Sequence, residues 1–379
     1  MKYYLIAGEP SGDLHGANLI EGLRKADPEA QFRFWGGDRM AAVGGAANLA
    51  KHYRETSFFG IVQVLKNLRT IKRQMLECQA DVAAFAPDVL ILVDYPGFNM
   101  KMARWAKEHG IRTFYYIAPK VWAWREWRVK AIRKYVDRLF IIFPFERSYF
   151  PRHGIEPIFE GNPLVDAIEA KRAALPSPDE FRRRNGLDGR PIVALLAGSR
   201  RGEIRDNLPL MADLSKKFPG HQFVVAGVSW LDRALYEQYM AGSDIRYVCD
   251  QTYETLAAAE AAVVTSGTAT LETALLGIPE VVVYRTLWFQ VKLQPYVLNV
   301  PWVSLVNLNL GREAVPEIIQ SDLDITRAER ELRAIVAGGA KREKMLSDFG
   351  ELRKVIGGPG ASDRFAARMV AELHATEAQ

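Results

Sequence analysis

Cysteine is almost absent: the two present, Cys78 and Cys249, lie far apart without Cys-x-x-Cys spacing, so neither a disulfide scaffold nor a zinc-ligand pattern is indicated. No apolar run approaches the ~18 residues of a spanning helix, so none is expected. The opening MKYYLIAGEPSGD reads as a strand running into a glycine turn, too short and too acidic at its end for a secretory apolar region, and a cytoplasmic chain is expected. Neither charge sign dominates, since 50 Lys and Arg against 45 Asp and Glu leave +5 on 379 residues. With a pI near 9.0 that balance keeps anionic partners in view: phosphorylated metabolites, an acidic membrane surface or nucleic acid. No repeat of fixed ~20–50-residue period is visible.

What the chain does have is apolar residues at 49 % and aromatics at 11 %, enough for cores in two or three domains and incompatible with disorder. Short apolar runs alternate with amphipathic stretches, the signature of βαβ units and a parallel sheet. Tyr3–Ala7, Phe32–Trp35, Val89–Val93, Thr113–Ile117 and Leu139–Phe143 form a first series of expected strands. Ile192–Ala197, Gln222–Ala226, Ile245–Val248, Ala262–Thr265 and Glu280–Tyr284 form a second. Between Gly161 and Pro191 the pattern breaks into a stretch rich in proline and charge, where a hinge is expected. Ala328 to Ala375 reads as helical without a strand of its own. The expected organisation is a domain over 1–165, a second over 190–340, and C-terminal helices over 341–379 that pack back on an N-terminal domain.

Four strand-end motifs carry chemistry. Gly8 to Gly16, GEPSGDLHG, follows the first strand and opens a helix, but it is not GxGxxG, and Asp13 would repel a pyrophosphate. It suits a sugar or phosphate across a cleft, with a plain capping turn as the alternative. Gly198-Ser199-Arg200-Arg201-Gly202-Glu203 offers an arginine fork for phosphate oxygens. Thr265-Ser266-Gly267-Thr268-Ala269-Thr270-Leu271-Glu272 leaves helix N–H groups open to an anion, with Glu272 in reach of ribose hydroxyls. Together these two loops favour a nucleotide diphosphate. Asp94, in VDYPGFN, is a candidate general base or merely a helix cap, on spacing alone. None of the expected strands is followed by an Asp-x-Asp pair, so no metal and no cofactor are expected.

Two stretches concern surfaces. Phe58, Ile61, Val64, Leu65, Leu68, Ile71 and Met75 share one helical face among basic residues, as core packing or as contact with an anionic membrane. Trp122, Trp124 and Trp127 interleave with Arg125, Arg128, Lys130, Arg133 and Lys134, which suits a lipid interface or nucleic acid.

In order along the chain, AGEPSGDLHGANL, VDYPGFN, WAWREWR after Pro119, Pro144-Phe145-Glu146, AGSRRGEI, SGTATLE and the stretch from Asn307 to PEIIQ resemble the lipid-A-disaccharide synthases over nearly the whole chain. The resemblance implies an α/β, GT-B glycosyltransferase architecture, with two Rossmann-like doubly wound domains facing a central cleft. It implies an inverting transfer from UDP-2,3-diacylglucosamine to 2,3-diacylglucosamine 1-phosphate (lipid X), giving the lipid A disaccharide and UDP. On that pattern Asp94 is catalytic, while Ser199, Arg200, Ser266, Gly267, Thr268, Ala269, Glu272, Asn307, Glu317 and Gln320 bind the UDP-sugar. Ser11, Gly12, Asp13 and Asn99 face the acceptor, and Phe58, Ile61, Val64, Leu65 and Leu68 contact acyl chains at an anionic membrane. The expected location is peripheral, on the inner face of the inner membrane, without nucleic acid, and a homodimer is left open. Gly161-Asn162-Pro163 stands where many members carry Gly-His-Pro, which removes a histidine role there. The rivals are a UDP-sugar epimerase of the same fold and a non-catalytic two-domain ligand-binding protein.

Overall fold

The computed structural model describes residues 1–56, 68–122, 128–285, 301–319 and 325–377. The chain divides into two compact units, Met1–Asp166 with Gly357–Gln379, and Ala167–Ile356.

The first unit is built on a parallel sheet of seven strands: β1 (Lys2–Ala7), β2 (Gln31–Gly36), β3 (Leu49–His52), β4 (Val89–Val93), β5 (Thr113–Tyr116), β6 (Arg138–Ile141) and β7 (Ile158–Phe159). Their order is β3-β2-β1-β4-β5-β6-β7, so the direction of winding reverses between β1 and β4. Ligands of open α/β sheets collect outside the carboxyl ends of the strands at such a reversal. The register pairs Tyr3 with Val89 and Ala7 with Val93, which brings the loops after both strands to one place. Val89, Leu90, Ile91, Leu92 and Val93 are all fully buried because helices cover both faces of the sheet, hence the unbroken apolar run.

The last helix, Ala361–Glu377, belongs to this unit and lies along Pro10–Ala26. A Cβ on Gly22 would stand 2.8 Å from the Ala366 Cβ, so glycine is what lets the two helices approach. Phe365 meets Tyr116 edge to face at 5.2 Å, and Asp166 accepts hydrogen bonds from the Gly360 and Ser362 N–H groups at the start of the helix. The preceding helix, Arg342–Ile356, belongs to the second unit.

The second unit repeats the plan with β8 (Ile192–Leu196), β9 (Gln222–Gly227), β10 (Arg246–Cys249), β11 (Ala259–Thr265), β12 (Glu280–Tyr284) and β13 (Glu317–Ile319). The order β10-β9-β8-β11-β12-β13 puts the reversal between β8 and β11. Its core gathers Ile192, Ala194, Val224, Leu256, Ala262 and Val264.

Glu280, the first residue of β12, is fully buried and neither carboxylate oxygen has a partner among the described residues. Burial, reinforced by the charge of Glu317, pushes its carboxyl well above the ordinary range. The folded state therefore holds this proton more tightly than the unfolded chain. Stability linked to it is full below the unfolded value and is lost as pH rises through the folded one. Glu280→Gln, uncharged at every pH, should lose less stability than the parent between pH 5 and 8, the difference being about 1–3 kcal/mol from urea midpoints. Parallel pH dependence of the two proteins would show that Glu280 is not buried in its neutral form.

Candidate active site

At the reversal point of the first unit, Asp94 and Tyr95 follow β4 with φ of +45° and +49°, two successive non-glycine residues in the left-handed region. Such backbone costs on the order of 1–3 kcal/mol per residue and persists only where surroundings hold it. Here the Asp94 N–H donates to the Tyr116 carbonyl at 3.0 Å, and the Asp94 carbonyl accepts from the Tyr115 hydroxyl at 2.6 Å and Asn99 Nδ2 at 2.8 Å. Tyr95 stacks on Phe98 with ring centroids 5.8 Å apart. The Asp94 carboxyl is half-buried, and desolvation lifts it above the usual carboxylate range against the opposing pull of the Lys120 ammonium and the Tyr95 N–H.

Asn99 is fully buried, and its Nδ2 also reaches the carbonyls of Val93 at 3.2 Å and Ile6 at 3.3 Å, tying β1 to β4. Asp13, 2 % exposed, accepts from the N–H groups of Gly37, Arg39 and Met40 at 2.7–3.1 Å and so caps the helix Asp38–Gly44. Both were expected to face the acceptor; the Asp13 carboxylate and Asn99 Nδ2 are engaged with backbone, while Asn99 Oδ1 is buried with no partner among the described residues. Gly12 is buried against Ala7, while Ser11 is exposed in the first turn of Pro10–Ala26. His15 is held down to about 4 by burial, which leaves it neutral near pH 7. Asn162 donates to the Ile142 carbonyl and accepts from the Leu164 N–H, both at 2.9 Å, a structural use of the Gly-Asn-Pro variant.

Ile117, Lys120 and Glu146, to which the sequence assigned no role of their own, complete this strand edge together with Trp122, which was read as part of a surface patch. Ile117, at the end of β5, has φ +66°, unusual for a β-branched side chain, and the segment Ala118 to Trp122 follows. Trp122 Nε1–H donates to Glu146 Oε1 at 3.0 Å, and the Phe143 N–H donates to Glu146 Oε2 at 3.2 Å. Lys120 is exposed between them and Asp94 along the order β4-β5-β6. Their available signal was the pair of motifs WAWREWR and Pro144-Phe145-Glu146, with an acid and an indole that both become buried.

In the second unit the two expected anion loops leave neighbouring strands β8 and β11. Gly198 has φ +109°, and a Cβ there would lie 2.5 Å from Glu203. Glu203 Oε2 accepts the N–H groups of Ser199 at 2.8 Å and Arg200 at 3.2 Å, which fixes the turn. The Arg200 side chain is 81 % exposed and touches Glu203 Oε1 only at 3.3 Å, so its fork is open to a ligand. After β11, Ser266 donates its hydroxyl to the Val303 carbonyl at 2.7 Å, and Gly267 precedes the helix Thr268–Leu276 without a capping side chain. Thr268 is exposed and Ala269 half-buried in the first turn, where free N–H groups carry partial positive charge. One turn on, Glu272 accepts from the Tyr253 hydroxyl at 2.6 Å, and Lys171 Nζ lies 4.3 Å from the Tyr253 ring. Burial raises the Glu272 carboxyl, with Tyr253 and Lys171 acting in opposition.

Asn307 and Glu317 form a closed network. Glu317 accepts from the Val303 and Ser304 N–H groups and from Asn307 Nδ2, each at 2.9 Å. Asn307 Oδ1 accepts from the Ala314 N–H at 2.7 Å and the Val315 N–H at 3.0 Å. Expected to bind the UDP-sugar, they support the loop whose carbonyl receives Ser266. Gln320, Phe58, Ile61, Val64, Leu65, Trp124 and Trp127 lie outside the described residues, and Leu68 is described in its backbone only. Asp322 and Asp324 form an Asp-x-Asp pair just after β13, a strand absent from the expected set, and they too lie outside the described residues. Among the described residues no group of three or more His, Cys, Asp and Glu is arranged to hold a metal ion.

The lipid-A-disaccharide synthetase family model matches residues 3–356. The chain belongs to this family. It is 40 % identical to the lipid-A-disaccharide synthase of Myxococcus xanthus, over 98 % of this chain and 97 % of that protein. It is 37 % identical to the one from Syntrophus aciditrophicus, over 96 % and 95 %. Among solved structures, the UDP-GlcNAc 2-epimerase of Neisseria meningitidis bound to UDP-GlcNAc aligns with a TM-score of 0.63 at 13 % identity, covering 99 % of this chain and 100 % of that one. The calicheamicin glycosyltransferase CalG4 aligns at 0.58 and 14 %, covering 100 % and 99 %. These distant likenesses show the fold, a GT-B α/β architecture, and no more. The synthase family makes the chain a glycosyltransferase of lipid A biosynthesis, and the epimerase alternative is not favoured.

Proposed function

We propose that the reaction is an inverting single displacement between UDP-2,3-diacylglucosamine and 2,3-diacylglucosamine 1-phosphate. The primary hydroxyl of the acceptor attacks the donor's anomeric carbon and gives its proton to Asp94. The bond from that carbon to the diphosphate oxygen breaks, and its electron pair leaves with UDP. The observation that carries the reading is Asp94 itself, a half-buried carboxyl raised by desolvation and strapped at a strand end by three backbone hydrogen bonds. Charge building on the diphosphate meets Arg200 and the N–H groups from Ser266 to Ala269. Glu272, with one oxygen on Tyr253, takes a ribose hydroxyl. Ser11 and Gly12 stay on the acceptor side, whereas Asp13, Asn99, Asn307 and Glu317 act by positioning. Ser199 lends the diphosphate its loop. The test is release of UDP with and without acceptor: release only when the acceptor is present supports transfer, and conversion of donor alone would point to an epimerase.

Both substrates carry acyl chains, so the stripe Phe58, Ile61, Val64, Leu65 and Leu68 is read as the contact with an anionic bilayer on its cytoplasmic face. Among the described residues no helix is long and apolar enough to cross a membrane. A Val64→Glu, Leu68→Glu double variant should lose flotation with anionic liposomes. Flotation equal to the parent would assign the stripe to core packing.

A further inference from the structure

Among the described residues Glu146 is the most deeply buried carboxyl at the carboxyl edge of the first sheet, 1 % exposed, and the proton transfer above gives it no part. It closes a small frame. Its two oxygens hold the Trp122 indole and the Phe143 N–H, so the segment after β5 is pinned to the segment after β6. Around it Trp122 and Phe145 pack edge to face at 4.8 Å, and Phe145 stacks on Phe143 at 5.7 Å, which excludes water from one side of the pair. Among the described residues, the charged group that acts on Glu146 from a neighbouring element is Lys120, two residues before Trp122. That same ammonium acts on Asp94.

We propose that Glu146 is a positioning residue of the acceptor side: it locks the Lys120–Trp122 segment beside Asp94, and its charge state decides how much of the Lys120 field reaches Asp94 and an acceptor phosphate. This deepens the transferase reading and rests on it. Desolvation lifts the Glu146 carboxyl to about 8, against the hydrogen bonds from Phe143, Trp122 and Ile142 and the Lys120 charge. Below that value Glu146 is neutral and Lys120 faces Asp94 and the phosphate alone. Above it the new carboxylate competes for the ammonium, and a phosphate monoester loses part of its attraction. The acceptor KM of the parent therefore rises through an inflection near pH 8, with donor KM unaffected.

The experiment measures acceptor and donor KM and kcat from pH 6.5 to 9.5 for the parent, Glu146→Gln and Lys120→Met. Glu146→Gln should flatten the acceptor KM profile, because its amide stays uncharged across the whole range. Lys120→Met, at an exposed position, should raise acceptor KM at pH 7 and remove the inflection as well, so the proposal stays open to test if Glu146→Gln fails to fold. An inflection near pH 8 retained in either folded variant overturns the proposal while leaving the transferase reading standing. A parent that makes no product from the two lipids would instead overturn the reading beneath it.

Discussion

Asp94→Asn should lower kcat by about 10²–10⁴-fold, the range for removing a positioned general base, with donor KM changed little. The substitution isolates the proton acceptor. Asparagine tolerates the left-handed backbone that residue 94 adopts at φ +45°, so the strap of Tyr115, Tyr116 and Asn99 onto its peptide should persist. An amide of the same size in the same place cannot take the proton. The pH profile supplies a second readout. Burial raises the Asp94 carboxyl, so the acid limb of kcat/KM in the parent should lie above the ~3.9 of an ordinary aspartate and be missing from the residual rate of the variant. A kcat within threefold of the parent would remove Asp94 from the base role.

Arg200→Ala should lower kcat/KM by about 10²–10³-fold, the scale on which one preorganised donor to a developing anion acts. The guanidinium is mostly exposed and its hydrogen bond to Glu203 is long, so its loss should leave the fold intact. The turn is held by the backbone N–H groups of Ser199 and Arg200 on Glu203, and those remain. Arg200→Lys should recover only part of the rate, since an ammonium cannot pair with two diphosphate oxygens as a planar fork does. UDP affinity by calorimetry separates the effects: a loss of rate larger than the loss of UDP binding marks transition-state stabilisation. Full activity in Arg200→Ala would assign the leaving-group charge elsewhere.

The interior strands were legible because parallel strands covered on both faces must be continuously apolar, as in Val89–Val93 and Ile192–Leu196. Of the four edge strands only Arg246–Cys249 was expected, as Ile245–Val248; the other three were not. Leu49–His52 is half-buried and polar at one end, Ile158–Phe159 has two residues, and Glu317–Ile319 begins on a charge, so none carries a period long enough to read. The glycine-bearing turns after β1, β8 and β11 were found for the same reason that they exist: chain must turn sharply at a strand end before a helix. Polar residues inside those turns were harder to sort. Asp13, Asn99, Asn307 and Glu317 have the composition of ligand contacts, yet their partners are mostly backbone groups, up to 93 residues away for Asn99 and Ile6, and Asn307 and Glu317 also bond each other. Glu146 shows the converse. Nothing local marks it as buried, because the indole that closes over it lies 24 residues earlier in the chain.

The most direct test supplies the purified chain with UDP-2,3-diacylglucosamine and 2,3-diacylglucosamine 1-phosphate and reads the products by mass spectrometry, once in EDTA and once in magnesium. The proposed displacement yields one equivalent each of UDP and of a tetraacyl disaccharide monophosphate joined through the acceptor's primary hydroxyl, at equal rates in both. Absence of the disaccharide, or turnover only with magnesium, would contradict it.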